Sequence, residues 1–415
     1  MSSTEPLRHR GFRYLLAGRA INALGNAFAP IALAFAVLDL TGSATDLGLV
    51  VGARTVVNVA FLLFGGVLAD RMPKSVLMIG SSVAAALTQA AVAWLVLAHT
   101  ATVPLLIGLS AINGMVAALA QPASASVLPQ TVPEGVRQQA NALVRIFLNG
   151  AAIVGAPVAG IVVAAVGPGW GIAVDAATFA VSALCFAGLG AAVRGRGAPE
   201  VAERQNVFAD LRAGWSEFRS RTWLWVIVAG AAVGNMAWAG GFLVLGPAVA
   251  DETFGRRAWG FVLAAQTAGM IVGGLVAIRL RVRRLLFFGT VWLLPFAIPL
   301  FLLGVYPHVW LLIAGGLVAG FGLEQFSVAW DTTMQEHVPP EKLARVYSYD
   351  MVGSFLAIPI GQMTVGPIAQ AAGREATLIG AAALMAVSFL AMLSSRDVRT
   401  LRHRLPEPAV EESFA

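Results

Sequence analysis

The chain has only one cysteine and very few charged side chains. Cys185 stands inside an apolar run of the 415-residue chain, so an intrachain disulfide and a thiolate metal cluster are excluded. Charged residues make up 12% of the chain, about half of the roughly 25% that soluble domains carry. This scarcity of charge excludes an ordinary soluble domain and makes the long apolar runs the main source of information.

Motifs of several enzyme and pump classes are absent as well. The two lysines, Lys74 and Lys342, do not follow a phosphate loop of the G-x-x-x-x-G-K type, and the chain has no G-x-S-x-G nucleophile elbow. The histidines lie in tails and at the ends of apolar runs, without the paired placement that haem or a metal needs. We therefore expect no enzymatic activity, no ATP-driven pumping of that class, no cofactor and no metal.

Apolar segments of about 20 residues recur along the whole chain, and each is long enough to cross a bilayer as a helix. We predict twelve spans and therefore an all-α membrane protein. The predicted spans are Phe12–Leu38, Leu47–Ala69, Ser75–Ala98, Val103–Ala120, Val136–Val166, Trp170–Val193, Trp223–Ala250, Ala258–Ile278, Leu285–Val305, Val309–Trp330, Ala344–Ala369 and Ala376–Leu393.

The positive charges lie in the short segments between these spans and indicate the orientation of the protein. The side that holds both termini carries 22 of the 28 Lys and Arg residues, whereas the other side carries three, Arg256, Arg257 and Arg374. Because positive residues are retained on the cytoplasmic side, we expect both termini in the cytoplasm. The high content of Ala, Gly and Arg indicates a bacterial source, so the expected location is a bacterial inner membrane. The same distribution accounts for the net charge of +6 without nucleic acid as a partner.

The longest polar segment divides the chain into two halves of six spans. We predict an N-terminal bundle over residues 1–193, a cytoplasmic linker over 194–221, a C-terminal bundle over 222–395 and a cytoplasmic tail over 396–415. The linker can form an amphipathic helix from Val207 to Arg219. The sequence V-P-E at 132–134 has a counterpart about 206 residues later, V-P-P-E at 338–341, which indicates two parallel repeats.

The loop between spans two and three carries a recognisable motif. Gly65–Lys74 reads GGVLADRMPK and resembles the loop between helices 2 and 3 of the major facilitator superfamily, roughly G-x-L-A-D-R-x-G-R-K, with Met72 and Pro73 in place of glycine and arginine. Gln139–Leu143 and Arg345–Ser348 further resemble the bacterial branch of macrolide-efflux and enterobactin-export proteins. The resemblance implies two pseudo-symmetric six-helix bundles, a small-molecule substrate, protons as the coupling ion and a monomer in the lipid bilayer.

The resemblance also implies roles for this loop and for span five. In the family, the loop acid contacts the start of helix eleven and holds one transport state, and a helix N-terminus favours such a carboxylate. The predicted conformational latch comprises Gly65, Gly66, Asp70, Arg71, Lys74 and Arg345. Gly155, Pro157 and Gly160 resemble the helix-bending motif of drug–proton antiporters, although Ala156 separates its usual Gly-Pro pair.

Polar side chains form stripes along one face of spans one, two and five. Such stripes are costly against lipid and favourable around a wet cavity. Alternatively, Arg19 and Arg145 extend their charged heads to the interface, and Trp238 packs between helices. The predicted lining of the substrate path is Arg19, Asn22, Asn26, Arg54, Asn58, Arg145, Asn149 and Trp238, with Asn141 on the span-five stripe.

Span ten carries two carboxylates, Glu324 and Asp331, on one helical face. A carboxylate in a cavity of low dielectric can take and release a proton near neutral pH, so we predict Glu324 first, and Asp331 second, as the proton-coupling residue. Alternatively, Glu324 forms a structural ion pair with an arginine across the cavity. Related exporters often carry an aspartate at the position of Asn26, so here another group carries the proton or none does.

The pattern as a whole predicts a secondary active transporter that exports a small amphipathic drug or metabolite, with proton antiport as the driving reaction. One alternative is a facilitator or uptake carrier for a metabolite or lipid. A membrane receptor or membrane enzyme without transport is the alternative from a different class, and the missing catalytic cluster argues against it.

Overall fold

The computed structural model describes residues 5–193, 215, 216, 218–280 and 282–403. Within them, twelve helices are long and apolar enough to cross a membrane, which confirms the predicted number of spans. The first half consists of α1 (Arg10–Thr41), α2 (Ala44–Arg71), α3 (Lys74–Leu97), α4 (Val103–Ser126), α5 (Arg137–Val166) and α6 (Pro168–Val193). The second half consists of α7 (Thr222–Glu252), α8 (Arg256–Ala277), α9 (Leu285–Val305), α10 (Val309–His337), α11 (Pro340–Phe355 and Ile358–Ala372) and α12 (Arg374–Ser394).

Prolines account for the irregular turns of the second half. A proline has no N–H to donate and its ring disfavours a helical residue before it, so the helix widens, tightens or breaks there. Thus α7 contains a π turn at Gly241–Leu245 just before Pro247, and α9 contains a 3₁₀ turn at Leu294–Ala297 around Pro295. The break in α11 precedes Pro359.

Short helices flank the spans at the end that holds both termini. They are 3₁₀ turns at Glu5–Arg8, Leu128–Gln130 and Glu134–Val136 and an α-helix, α13, at Arg396–Thr400. Most of the predicted linker helix falls on residues 194–214, outside the described residues. We call this end of the molecule the terminal end and the opposite end, where α1 leads into α2 through Gly42, the far end.

The outside of the bundle is apolar. Leu184 on α6 is 72% exposed, and Trp94 and Trp310 near the far end are 71% and 70% exposed. Side chains of this kind are favourable in the hydrocarbon core, with tryptophan at its boundary, whereas water would penalise them. The helices therefore present a surface suited to lipid.

The same helix pairs pack together in both halves. In the first half α1 packs on α5 and α6, α2 on α4, and α3 on α4 and α6; in the second half α7 packs on α11 and α12, α8 on α10, and α9 on α10 and α12. Each pair of the second half is thus a pair of the first half moved by six helices. Two pseudo-symmetric six-helix bundles are therefore confirmed, and they meet where α2 packs on α11 and α5 on α8.

Candidate functional site

A polar cavity lies inside the first half of the molecule. Its main chamber has a volume of about 430 Å³, and a side chamber of about 160 Å³ extends it toward Arg19. All six helices of the first half supply its walls, α5 only through Leu148, and most of its polar groups are uncharged amides and hydroxyls. The polar residues of the two chambers are Arg19, Asn22, Asn26, Arg54, Ser81, Ser82, Asn113 and Ser124.

A second cavity, of about 360 Å³, lies between the two halves. Its walls are mainly apolar, and Arg54 and Ala117 belong to its lining as well as to that of the polar cavity. We call it the apolar cavity. Its other lining residues are Pro30, Ile31, Leu33, Ala34, Val51, Thr55, Asn58, Leu243, Pro247, Trp259, Leu263 and Gln362.

Arg54 is held at the junction of these cavities by a close crossing of α2 and α4. A Cβ atom on Gly114 would lie 2.2 Å from the carbonyl oxygen of Arg54, so only glycine allows the two backbones to touch here. Beside it, Nδ2 of Asn58 donates a hydrogen bond of 3.0 Å to the carbonyl oxygen of Gly114. The crossing therefore fixes the base of the Arg54 side chain.

A fully buried carboxylate, that of Asp175, interacts electrostatically with Arg54. Asp175 on α6 accepts a hydrogen bond at Oδ2 from Nε2 of Gln89 on α3, whereas its Oδ1 atom has no hydrogen-bond partner among the described residues. Asp175 attracts Arg54 electrostatically. Within the described part of the chain no hydrogen bond or ion pair joins the guanidinium of Arg54 to another side chain.

The polar stripe of α5 lies apart from the cavities. Asn141, Arg145 and Asn149 are exposed in the terminal half of the helix, and the amide of Asn141 bonds back to the carbonyl oxygen of Arg137 at 3.0 Å. Gly155 of the predicted bending motif faces Leu24 and Ala27 of α1. The stripe does not share a cavity wall with the stripes of α1 and α2.

Glu324 is half-buried on α10, next to α8. A Cβ atom on Gly273 would lie 2.9 Å from Cβ of Glu324, and Arg145 attracts the carboxylate electrostatically from the other half of the molecule. Asp331 is exposed and accepts a hydrogen bond of 3.2 Å from the hydroxyl of Tyr347. Neither carboxylate lines the polar or the apolar cavity.

Trp238 lies in an aromatic stack inside the second half. Its ring is 4.0 Å from that of Phe242 and 4.1 Å from that of Phe296, centroid to centroid. It therefore packs between helices and lines neither cavity. The latch stays a prediction, because the contacts of its other members lie outside what the structure describes, and Lys74 is the first residue of α3. These other members are Gly65, Gly66, Asp70, Arg71 and Arg345.

An arginine clamp that the charge pattern did not reveal closes the far end. Arg256 begins α8 and donates two hydrogen bonds to Asp39 at the end of α1, one of them 2.9 Å long, and two more to Asp251 at the end of α7. Its guanidinium also lies 4.8 Å from the centre of the Phe35 ring. Because Asp39 and Arg256 belong to different halves, this clamp holds the halves together. The three far-side arginines were the only signal for it in the sequence.

We expect Arg256→Gln to loosen this far end. The pair is partly exposed, with 22% and 41% of the Arg256 and Asp39 side chains accessible, so its loss should cost about 1 kcal/mol and raise opening roughly fivefold. The measurement is the labelling rate of Thr45→Cys by a membrane-impermeant maleimide in a Cys185→Ser background, because Thr45 is bonded to Gln370 of the other half at 3.0 Å. Arg257→Gln, on the exposed neighbour, is the control. Equal labelling of both variants would show that the clamp does not hold the halves.

Comparisons with known proteins agree with this architecture. A family model described as the Major Facilitator Superfamily matches residues 15–361. The chain is 25% identical over 391 residues to a protein named multidrug efflux pump Tap of Mycolicibacterium fortuitum, and the match covers 89% of this chain and 92% of that one.

Solved structures share the fold at low sequence identity. A bacterial homologue of the iron transporter ferroportin aligns with a TM-score of 0.70 at 16% identity, covering 93% of this chain and 99% of that one. A bacterial homologue of the lysosomal transporter Spinster aligns with a TM-score of 0.69 at 14% identity, covering 92% and 96%. The nucleoside transporter NupG aligns with a TM-score of 0.67 at 13% identity, covering 93% and 100%.

Proposed function

Because this chain belongs to the Major Facilitator Superfamily, a family of membrane transporters, we propose that it exports a small amphipathic organic compound in exchange for protons. It is a multi-pass membrane protein and a carrier rather than an enzyme. The proposal adds the direction of transport, the chemical type of the substrate and the coupling ion.

The main observation that supports the proposal is the position of the two cavities relative to the arginine clamp. Arg54 stands where a polar cavity inside one half meets an apolar cavity between the halves, and Arg256 closes the far end above them. A carrier needs such a site, reached from one side at a time as one half rocks against the other. A polar and an apolar chamber side by side suit an amphipathic compound.

The direction of transport rests on the relative named as a multidrug efflux pump, which aligns with nearly the whole chain. Its name supports export in preference to uptake. An uptake carrier or facilitator would use the same cavities, so the direction needs its own measurement.

Proton coupling is assigned to Glu324. Glu324 is half-buried on α10 and attracts Arg145 of the other half. A change in the charge of Glu324 therefore changes the attraction between the halves. Protonation would remove this attraction and so favour their separation at the terminal end. Asp331, which is exposed, is the second candidate.

We expect Glu324→Gln to abolish proton-driven export while exchange continues. The amide keeps the shape of the side chain but cannot take up a proton, so export driven by a pH gradient should fall at least about tenfold, the effect of losing an essential proton carrier. The measurement is the uptake of a probe into inverted membrane vesicles under an imposed pH gradient. The probes are ethidium, the anion 8-anilinonaphthalene-1-sulfonate and neutral N-phenyl-1-naphthylamine. Counterflow of the transported probe in proteoliposomes should stay within about twofold of the wild type.

Glu375→Gln, at the exposed start of α12, is the matched control and should behave as the wild type. Unchanged pH-driven transport in Glu324→Gln would exclude Glu324 and make Asp331→Asn the next variant. Transport of a probe down its own gradient with no response to pH would replace the exporter by a facilitator.

A further inference from the structure

We infer that the polar cavity binds the anionic headgroup of an amphipathic compound, that Arg54 is the residue that binds it, and that the apolar cavity takes the rest of the molecule. The inference rests on the proposed function as a carrier and names the chemical class that the carrier accepts. It does not depend on the direction of transport or on protons.

The charge of the cavity walls is the first support. Two arginines, Arg19 and Arg54, line the polar and apolar cavities, and no carboxylate is among the described residues that line them. A cation removed from bulk water without a hydrogen-bonded anion costs several kcal/mol in a protein interior, roughly, and the attraction of Asp175 reaches Arg54 without such a bond. A ligand that carries a sulfonate, carboxylate or phosphate supplies that anion.

Arg54 is built to hold such a group. The guanidinium presents a planar fork of donors that matches an oxyanion in two parallel hydrogen bonds, and the crossing at Gly114 fixes the helix that carries it. Asp175 attracts Arg54 without a hydrogen bond or ion pair to it among the described residues, and Arg54 lines both cavities, so its donors are available to a ligand there. Uncharged amides and hydroxyls of Asn22, Asn26 and Asn113 can complete the hydrogen bonds of the headgroup.

The apolar cavity indicates the chemical character of the other end of the compound. It begins at Arg54 and runs between the halves past Leu243, Trp259 and Leu263, so an apolar body attached to the headgroup has a place beside it. Gln362 also lines it, is only 3% exposed, and has an Oε1 atom without a hydrogen-bond partner among the described residues.

The test compares two probes that differ by one sulfonate. The anion 8-anilinonaphthalene-1-sulfonate and the neutral N-phenyl-1-naphthylamine share their rings and their N–H, so their difference in affinity reports on the headgroup alone. Binding is measured by fluorescence titration of the purified full chain in phosphatidylcholine nanodiscs, with empty nanodiscs subtracted. We expect the anion to bind at least about tenfold more tightly than the neutral compound, as a charge-assisted bond requires.

Substitutions in the cavity wall test whether Arg54 causes this preference for the anion. Arg54→Gln should remove most of it and leave the neutral probe within about twofold, whereas Arg54→Lys should keep part of it because the charge stays. Arg257→Gln, exposed on α8, is the control. If Arg54→Gln does not fold, Asn26→Asp makes the same test, since it adds a carboxylate to the wall of the polar cavity with almost no change in volume.

Three results would overturn the inference. The first is equal affinities for the two probes in the wild type. The second is an unchanged preference in folded Arg54→Gln or, where that variant does not fold, in Asn26→Asp. The third is a preference for the cation ethidium that Arg54→Gln leaves intact. Nanodiscs that contain phosphatidylglycerol identify the source of the anion. Weaker binding of the sulfonate there points to a lipid headgroup as the natural ligand, and unchanged binding points to a soluble organic anion.

The outcomes also separate this inference from the proposed export. Arg54-dependent binding of the sulfonate without its export from cells would leave the inference standing and contradict the exporter. Export of ethidium without any preference for the sulfonate would do the reverse.

Discussion

Gly48→Val is expected to stop transport and to leave the protein folded. Gly48 lies on α2 where the two halves meet, and a Cβ atom there would be 2.1 Å from the carbonyl oxygen of Gln362 on α11. A backbone carbonyl cannot turn aside as a side chain can, so the far end cannot close around a valine. When the far end opens, α2 and α11 separate and the same valine has room.

The substitution thus raises the free energy of one transport state only. Overpacking of this kind costs about 1–3 kcal/mol, which shifts the balance of two states roughly 5- to 150-fold. A carrier must pass through both states in each cycle, so we expect the transport rate to fall at least about fivefold. The far end should also become more open to maleimide at Thr45→Cys.

The measurements are probe transport in vesicles, maleimide labelling and thermal unfolding of the purified protein. Gly108→Val on α4 is the matched control, because no atom outside its own helix lies within 4 Å of the position a Cβ would take. Transport at the wild-type rate in Gly48→Val would contradict the expectation. A loss of unfolding free energy as large as the free energy that corresponds to the lost transport would contradict it as well.

Gly320→Val is expected to have the opposite result and to prevent folding. Gly320 lies on α10, and a Cβ atom there would be 1.9 Å from the carbonyl oxygen of Gln266 on α8. On the facing helix, a Cβ atom added to Gly269 would likewise be 2.0 Å from the carbonyl oxygen of Leu317. Both helices belong to one half. Because the halves move largely as rigid bodies, neither state offers room for the valine.

The expected cost is about 3 kcal/mol or more, the upper part of the range for overpacking, and it applies to every folded state. The yield of monodisperse protein in size-exclusion chromatography and its melting temperature should both fall steeply. Gly380→Val on α12, where no atom outside its own helix lies within 4 Å of the added Cβ, makes the same residue change at an open position and should keep both values. A stable Gly320→Val protein that fails only in transport would show that α8 and α10 move against each other.

The two glycines differ in a way that no single stretch of sequence displays. Both stand in apolar helices among other small residues. One faces a helix of the other half and the second faces a helix of its own half, and that difference decides whether a valine stops motion or folding. Helix partners are set by packing over the whole chain, which explains why this distinction needed the fold.

The site shows the same division between local and distant information. Asn22, Asn26 and Arg54 were predicted from the cost of polar groups in apolar spans, and they do line one cavity. Arg145 obeys the same rule but lines neither cavity; its exposed side chain attracts Glu324 of the other half instead. The cost of burial identifies a residue that needs a polar environment, and it does not say whether a cavity, a partner or the interface supplies it.

Hydropathy, charge bias and short motifs are properties of neighbouring residues, and they were enough to predict the twelve spans, the two halves and the family. The folded structure was needed to show which polar residues share a cavity, that Arg256 reaches Asp39, and that Trp238 stacks between Phe242 and Phe296. These contacts join residues far apart in the chain. They follow from how closely the helices pack, and that depends on all the helices together.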